Sequence, residues 1–210
     1  MRIGLGSILI AGLLSFGGMI SPLEARDDCR IVAFGDSLTA GLGVEAQEAY
    51  PAVLQRRLNA LGISCQVVNA GISGETTAGG ARRVEWLIRS QPSIVILELG
   101  ANDGLRGLDL HQTEANLAQI LDRLQAEGIR VILAGMRIPT NYGREYTRAF
   151  EAIYTQLAAR YPVVFVPFFL EGVAADSRLN QADGIHPTAR GYEIIVDHLL
   201  PYLMGLLPKA

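Results

Sequence analysis

Ile31-Val32-Ala33-Phe34-Gly35-Asp36-Ser37-Leu38 is the stretch on which the fold turns. Its first four residues are apolar without alternation and begin with two β-branched side chains, the pattern of a short strand buried on both faces. Such strands belong to parallel sheets, and a Gly-Asp-Ser step straight after one marks its carboxyl end. Four more runs of the same kind follow at Gln66-Val67-Val68-Asn69, Ile94-Val95-Ile96-Leu97, Val131-Ile132-Leu133-Ala134 and Val163-Val164-Phe165-Val166. Between them the apolar period changes to that of helices, as in Leu117, Ile120, Leu121, Leu124 and in Phe150, Ile153, Tyr154, Leu157. Gly62 and Gly128 stand where two helices should stop, Pro162 precedes the fifth strand, and Pro201 is predicted to end or kink the last helix. A β-α alternation carried through five strands predicts one doubly wound α/β domain with helices on both sheet faces.

The composition agrees with a single domain and excludes several functions. Half of the 210 residues are hydrophobic and 19% are charged, which rules out a disordered chain. Eighteen Lys and Arg against 21 Asp and Glu give a net charge of -3, without the basic excess a nucleic-acid-binding surface needs, so no nucleic-acid partner is expected. Three histidines and two cysteines form no metal-ligand cluster, so neither a metal nor another cofactor is called for. Residues Ile3 to Ile20 are uncharged, follow the positive Arg2, and lead through Ser21-Pro22 to a small residue at Ala25. That pattern is a secretory signal peptide, and five glycines and two serines dilute it as a membrane span. The expectation is therefore a signal peptide over 1–25 and a single domain over 26–210, exported to the periplasm or medium, monomeric and with no stable membrane anchor after cleavage.

Ligands of an open parallel sheet bind beyond the carboxyl ends of its strands. There this chain places Gly35-Asp36-Ser37-Leu38, Asn69-Ala70-Gly71-Ile72-Ser73-Gly74, Gly100-Ala101-Asn102-Asp103 and, after the fifth strand, Asp183-Gly184-Ile185-His186-Pro187. These are the parts of an acyl-transfer site. A serine hydroxyl needs an imidazole to take its proton, and the imidazole needs a carboxylate to fix its tautomer. Ser37, His186 and Asp183 can fill those roles. The backbone N–H groups of Ser37 and Gly74 and the side-chain amide of Asn102 are candidate donors to the developing oxyanion. Taken singly, each block reads as a turn or a helix cap; their joint occurrence, each after a different strand on one sheet edge, is what points to a hydrolase. Asp36 and Asp103 read as braces of their loops, and His111 and His198 as helix-end or surface residues.

In order and spacing these blocks resemble those of the SGNH (GDSL-type) hydrolase family. Leu97-Glu98-Leu99-Gly100, Asn102-Asp103-Gly104-Leu105-Arg106-Gly107 and Ile138-Pro139-Thr140-Asn141-Tyr142-Gly143 extend the likeness toward its periplasmic group of multifunctional thioesterase/protease/lysophospholipase enzymes and arylesterases. The resemblance implies Ser37 as nucleophile, Gly74 and Asn102 as oxyanion donors beside the Ser37 N–H, and Asp183-His186 as the rest of a triad. It also implies a metal-independent serine esterase acting through an acyl-enzyme on carboxylic esters and thioesters, with a small ester, thioester or lysolipid as substrate. Two alternatives stay open at this point: a carbohydrate O-acetylesterase, and a non-catalytic flavodoxin-like binding protein.

Leu105, Leu108, Ile138, Pro139, Tyr142, Phe168 and Phe169 are predicted to wall an acyl or aryl pocket, and the glycine-rich segment from Glu75 to Gly80 to form a mobile lip. The fold predicted is a three-layer α/β/α, flavodoxin-like sandwich with a five-stranded parallel sheet in the order 2-1-3-4-5. Its first two strands therefore start side by side. Cys29 and Cys65 precede those strands, which predicts a Cys29–Cys65 disulfide in an oxidising compartment, against a competing reading as two buried thiols.

Overall fold

The computed structural model describes residues 29–207. The expected signal peptide lies outside the described residues. Five parallel strands, β1 (Cys29–Gly35), β2 (Cys65–Gly71), β3 (Ile94–Glu98), β4 (Arg130–Ala134) and β5 (Val164–Val166), form a sheet in the order β2-β1-β3-β4-β5. The helices are α1 (Ser37–Ala40), α2 (Tyr50–Ala60), α3 (Thr77–Arg89), α4 (Ala101–Leu105), α5 (Leu110–Ala126), α6 (Arg144–Arg160) and α7 (Ala189–Met204), with a 3₁₀ turn at Thr140–Tyr142. Right-handed crossovers dictate their sides. From β1 the chain moves outward to β2, then returns over β1 to β3 and continues to β4 and β5. The change of direction puts α3, α5 and α6 together on one face, where α5 packs against both others, and α2 with α7 on the opposite face. The strand order reverses between β1 and β3, and the crevice beyond their carboxyl ends is where such a sheet binds ligands.

Burial follows the apolar pattern. Every residue of β3 is buried, as are Ile31 to Gly35 of β1. The predicted stripes Leu117, Ile120, Leu121, Leu124 on α5 and Phe150, Ile153, Tyr154, Leu157 on α6 face the core. Two boundaries differ from the sequence expectation. β2 continues through Asn69-Ala70-Gly71, because the ladder with β1 persists to the pair Gly35–Gly71. Pro201, predicted to end or kink α7, does not end it: it sits inside a helix that runs on to Met204. Leu199 and Leu203, buried on either side of it, hold that last turn on the core.

Cys29 and Cys65 are register partners at the starts of β1 and β2, with Cα atoms 4.5 Å apart, and they are joined in a disulfide. The bond closes a sequence separation of 36 residues at the edge opposite the carboxyl ends. Replacing both cysteines by serine is expected to lower the unfolding free energy by about 4 kcal/mol, the loop-entropy contribution for that length. Urea denaturation of the oxidised protein against the double variant measures it, and coincident midpoints would refute it.

Candidate active site

The site begins with a turn that the sequence builds tightly. Asp36 caps α1 by accepting the Leu38 N–H at 3.0 Å, which places Ser37 at the first position of the helix, 8% exposed. A side chain at Gly35 would collide with Thr39 Oγ1 and with the Glu98 carboxyl, so only glycine lets β1 pass this close to β3. Glu98 is fully buried there: its Oε2 accepts from Thr39 Oγ1 at 2.6 Å and from the Asp36 N–H at 3.4 Å. Burial, and then the neighbouring Asp36 charge, pushes Glu98 well above the ordinary carboxylate range. Burial also lifts Asp36 to about 6, against the opposing hydrogen bonds from Leu38 and Asn102. The sequence quoted Glu98 only as part of a resemblance; its apolar neighbours Leu97 and Leu99 were the signal that its carboxyl lies inside the sheet.

Asp183 and His186 arrive on the segment between β5 and α7. That segment is fastened by an antiparallel bridge between Asn180 and Pro187, by the Gln181 N–H to the His186 carbonyl at 2.7 Å, and by the Asn180 side chain to the Val173 carbonyl at 2.7 Å. Gln181 Nε2 also donates to the Leu42 carbonyl at 2.8 Å, tying the segment to the loop that follows α1. Sequence reasoning missed Asn180 and Gln181, because a polar residue in a long loop looks the same whether it braces the chain or faces water. The result is an unbroken relay. Asp183 Oδ1 accepts the N–H groups of Ile185 and His186, Asp183 Oδ2 lies 2.6 Å from His186 Nδ1, and His186 Nε2 lies 2.9 Å from Ser37 Oγ. The two backbone hydrogen bonds first, and then the imidazole, hold Asp183 at about 2. It is therefore ionised, Nδ1 carries the proton, and Nε2 is left to receive one from Ser37.

Gly74 lies beyond β2 with φ of 79°, a left-handed conformation that favours glycine. Asn102 sits in α4, beyond β3. Its Nδ2 donates to Asp36 Oδ2 at 3.0 Å and its Oδ1 accepts from Arg106 at 3.4 Å, which fixes the amide's orientation and leaves one Nδ2 hydrogen uncommitted. Among the described residues, no hydrogen bond within the protein uses the N–H of Ser37 or of Gly74. Ser37, Gly74 and Asn102, beyond three different strands, thus each keep a donor without a partner among the described residues. Asp103 instead accepts the Thr77 N–H at 2.9 Å and the Thr77 hydroxyl at 2.6 Å, which joins the Asn102 turn to the start of α3.

An apolar cavity of about 320 Å³ adjoins the relay, lined among others by Leu38, Leu105, Met136, Ile138, Phe168 and Ile185. Of the predicted wall residues, Leu105, Ile138, Pro139 and Phe168 face it. Tyr142 and Leu108 do not: the Tyr142 hydroxyl donates to the Leu105 carbonyl at 2.8 Å, and the Leu108 carbonyl accepts from Tyr146 at 3.0 Å, so both buttress the wall from outside. Phe169 is a core residue packed edge-on against Tyr50. The Glu75 to Gly80 segment, expected to be a mobile lip, is instead tied down. It runs into α3, and Glu75 is ion-paired with Arg83. Among the described residues no group of three or more His, Cys, Asp or Glu could hold a metal ion, and no helix is long and apolar enough to cross a membrane.

Comparison with known proteins supplies the context of this geometry. The model of the GDSL-like Lipase/Acylhydrolase family matches residues 33–194. The chain is 39% identical over 202 residues to Esterase TesA of Pseudomonas aeruginosa, covering 96% of this chain and 99% of the relative. It is 41% identical over 178 residues to Thioesterase 1/protease 1/lysophospholipase L1 of Escherichia coli K12, covering 84% of each. A crystal structure of TesA superposes with a TM-score of 0.82 at 42% identity, over 85% of this chain and 99% of the other.

Proposed function

Since the chain belongs to the GDSL-like lipase/acylhydrolase family and is a serine ester hydrolase, we propose that Ser37, His186 and Asp183 are its catalytic triad. The observation that carries the assignment is the continuous Asp183–His186–Ser37 relay, with an apolar cavity adjoining it. Ser37 Oγ attacks the acyl carbonyl carbon while its proton passes to His186 Nε2. The negative charge that develops on the carbonyl oxygen is taken by the N–H groups of Ser37 and Gly74 and by Asn102 Nδ2. Collapse of that adduct breaks the bond to the alcohol or thiol, which leaves with the proton from His186. A water molecule then gives its proton to His186 and attacks the acyl-Ser37 carbonyl, and the acid departs as the proton returns to Ser37.

The cavity favours acyl chains over acetyl groups. With about 320 Å³ of largely apolar space, efficiency should rise from acetate to medium-chain esters. Ile138→Trp, by filling the space, should move the optimum to shorter chains and cost long ones roughly 10- to 100-fold in kcat/KM, in line with 1–3 kcal/mol for misplaced hydrophobic volume. A p-nitrophenyl ester series on both proteins measures this. A flat series, with faster turnover of an acetylated sugar, would favour the O-acetylesterase alternative. Relatives named as esterase and as thioesterase/lysophospholipase support testing thioesters and lysolipids in the same series. Export after removal of residues 1–25 completes the proposal, with the Cys29–Cys65 bond as its chemical support, since such bonds persist in oxidising compartments.

A further inference from the structure

One guanidinium joins three parts of the site. Arg83, on α3, has its Nε 2.8 Å from each carboxylate oxygen of Glu75, and the ion pair is sheltered, with 15% of the Arg83 side chain and 7% of the Glu75 side chain exposed. Its Nη2 also pairs with Glu75 and donates to the Ala70 carbonyl at 2.8 Å and to the Gly35 carbonyl at 3.2 Å. Those carbonyls belong to the last turns of ladder on β2 and β1, and Gly35 is two residues before Ser37. The guanidinium also lies over the Phe34 ring, 4.2 Å from its centre. Glu75, in turn, is the chain neighbour of Gly74. The rest of that turn is closed by backbone hydrogen bonds, Ile72 N–H to the Gly35 carbonyl and Glu75 N–H to the Ile72 carbonyl, and by Arg106, which takes the Gly74 carbonyl at 2.9 Å.

We infer that Arg83, acting through Glu75 and the Gly35 carbonyl, is a positioning residue that sets the distance between the Gly74 N–H and the Ser37 hydroxyl. The inference rests on Gly74 being an oxyanion donor. A sheltered ion pair is weak evidence for stability in itself, because desolvation offsets the attraction. What marks this one is its set of partners. A planar fork with several donors can hold the end of one strand, the end of the next and the loop between them in fixed register; an ammonium, a point charge on a flexible stem, cannot hold all of them at once. The oxyanion appears only during the reaction, so an error in the Gly74 position weakens transition-state binding and leaves ground-state binding alone.

The experiment uses Arg83→Lys, Arg83→Met and Glu75→Gln, each checked for folding by near-UV circular dichroism. Three quantities are read: kcat and KM on p-nitrophenyl butyrate, the inhibition constant of a trifluoromethyl ketone, whose tetrahedral adduct needs the oxyanion donors, and that of the product acid. Both Arg83 variants should lose roughly 10- to 100-fold in kcat, as expected for a catalytic group displaced by about 1 Å, with trifluoromethyl ketone affinity falling in parallel. KM and product-acid inhibition should stay at wild-type values. Glu75→Gln, which keeps an acceptor, should fall between wild type and Arg83→Met. If Arg83→Met does not fold, the two milder variants carry the same test. Wild-type kcat and ketone affinity in a folded Arg83→Lys would overturn the inference, as would equal weakening of ketone and product acid. Failure of the underlying assignment has a different signature: full activity in Ser37→Ala.

Discussion

Ser37→Ala is expected to reduce ester hydrolysis on the order of 10⁴- to 10⁶-fold while leaving the fold intact, the range seen when the nucleophile of a serine triad is removed. The Ser37 hydroxyl has one hydrogen-bond partner among the described residues, His186 Nε2 at 2.9 Å, and the turn that presents it is built by other groups. Asp36 still caps α1 through the Leu38 N–H, and Glu98 still receives Thr39 beneath it. Denaturation midpoints should therefore change little. Because the cavity is lined by Leu38 and by side chains of other segments and not by Ser37 itself, product-acid inhibition should also persist. Covalent labelling by a fluorophosphonate should vanish with the hydroxyl. Hydrolysis within tenfold of wild type by the purified variant would remove Ser37 from the mechanism and with it the whole assignment.

Asp183→Asn should cost about 10³- to 10⁴-fold in kcat, because an amide in place of the carboxylate reverses the tautomer logic of the imidazole. Asp183 Oδ2 lies 2.6 Å from His186 Nδ1 and accepts from it; an amide nitrogen in that place would donate instead, turn the proton to Nε2, and leave no lone pair for Ser37. The effect on pH dependence is equally specific. With its ordinary value of 3.8 lowered to about 2, by the N–H groups of Ile185 and His186 before the imidazole itself, Asp183 remains ionised across the working range. Its favourable contribution to folding is complete above about pH 4 and disappears as the pH falls through about 2. In Asp183→Asn that acid-side loss of stability should be absent, because the amide does not titrate. Steady-state kcat at neutral pH and urea denaturation on the acid side of pH 5, on both proteins, measure the two effects; undiminished kcat in Asp183→Asn would contradict the role.

Much of this was legible from residues alone, for a definable reason. Strands such as Ile94 to Leu97 and stripes such as Leu117, Ile120, Leu121 and Leu124 are written in side-chain polarity, and polarity is what burial sorts. The four strand-end blocks could be placed on one edge because right-handed crossovers leave few topologies. Contacts that depend on direction were not legible. Tyr142 and Leu108 lie beside the pocket in sequence and in space, yet one turns its hydroxyl to a backbone carbonyl and the other stays 41% exposed. Glycine content suggested mobility for the segment after Gly74, whereas Arg83, eight residues on and across a turn of helix, pins it. Glu98 shows the same limit: a carboxylate inside a run of apolar residues can be identified as buried, but not as the partner of Thr39 and of the Asp36 N–H.

The order of the relay along the chain has a practical side. The strand ends that supply Ser37, Gly74 and Asn102 all precede α5, while Asp183 and His186 come from the segment between β5 and α7, joined to the earlier part at the site by Gln181 and Ser37. On the proposed mechanism, hydrolysis therefore waits until the polypeptide has been made past β5. On the same mechanism, a cut in that segment would divide the protein into a piece with the attacking group and a piece with its base, each expected to be inert alone. Two such halves, fused to partners of interest, would make a reporter whose colour depends on their meeting.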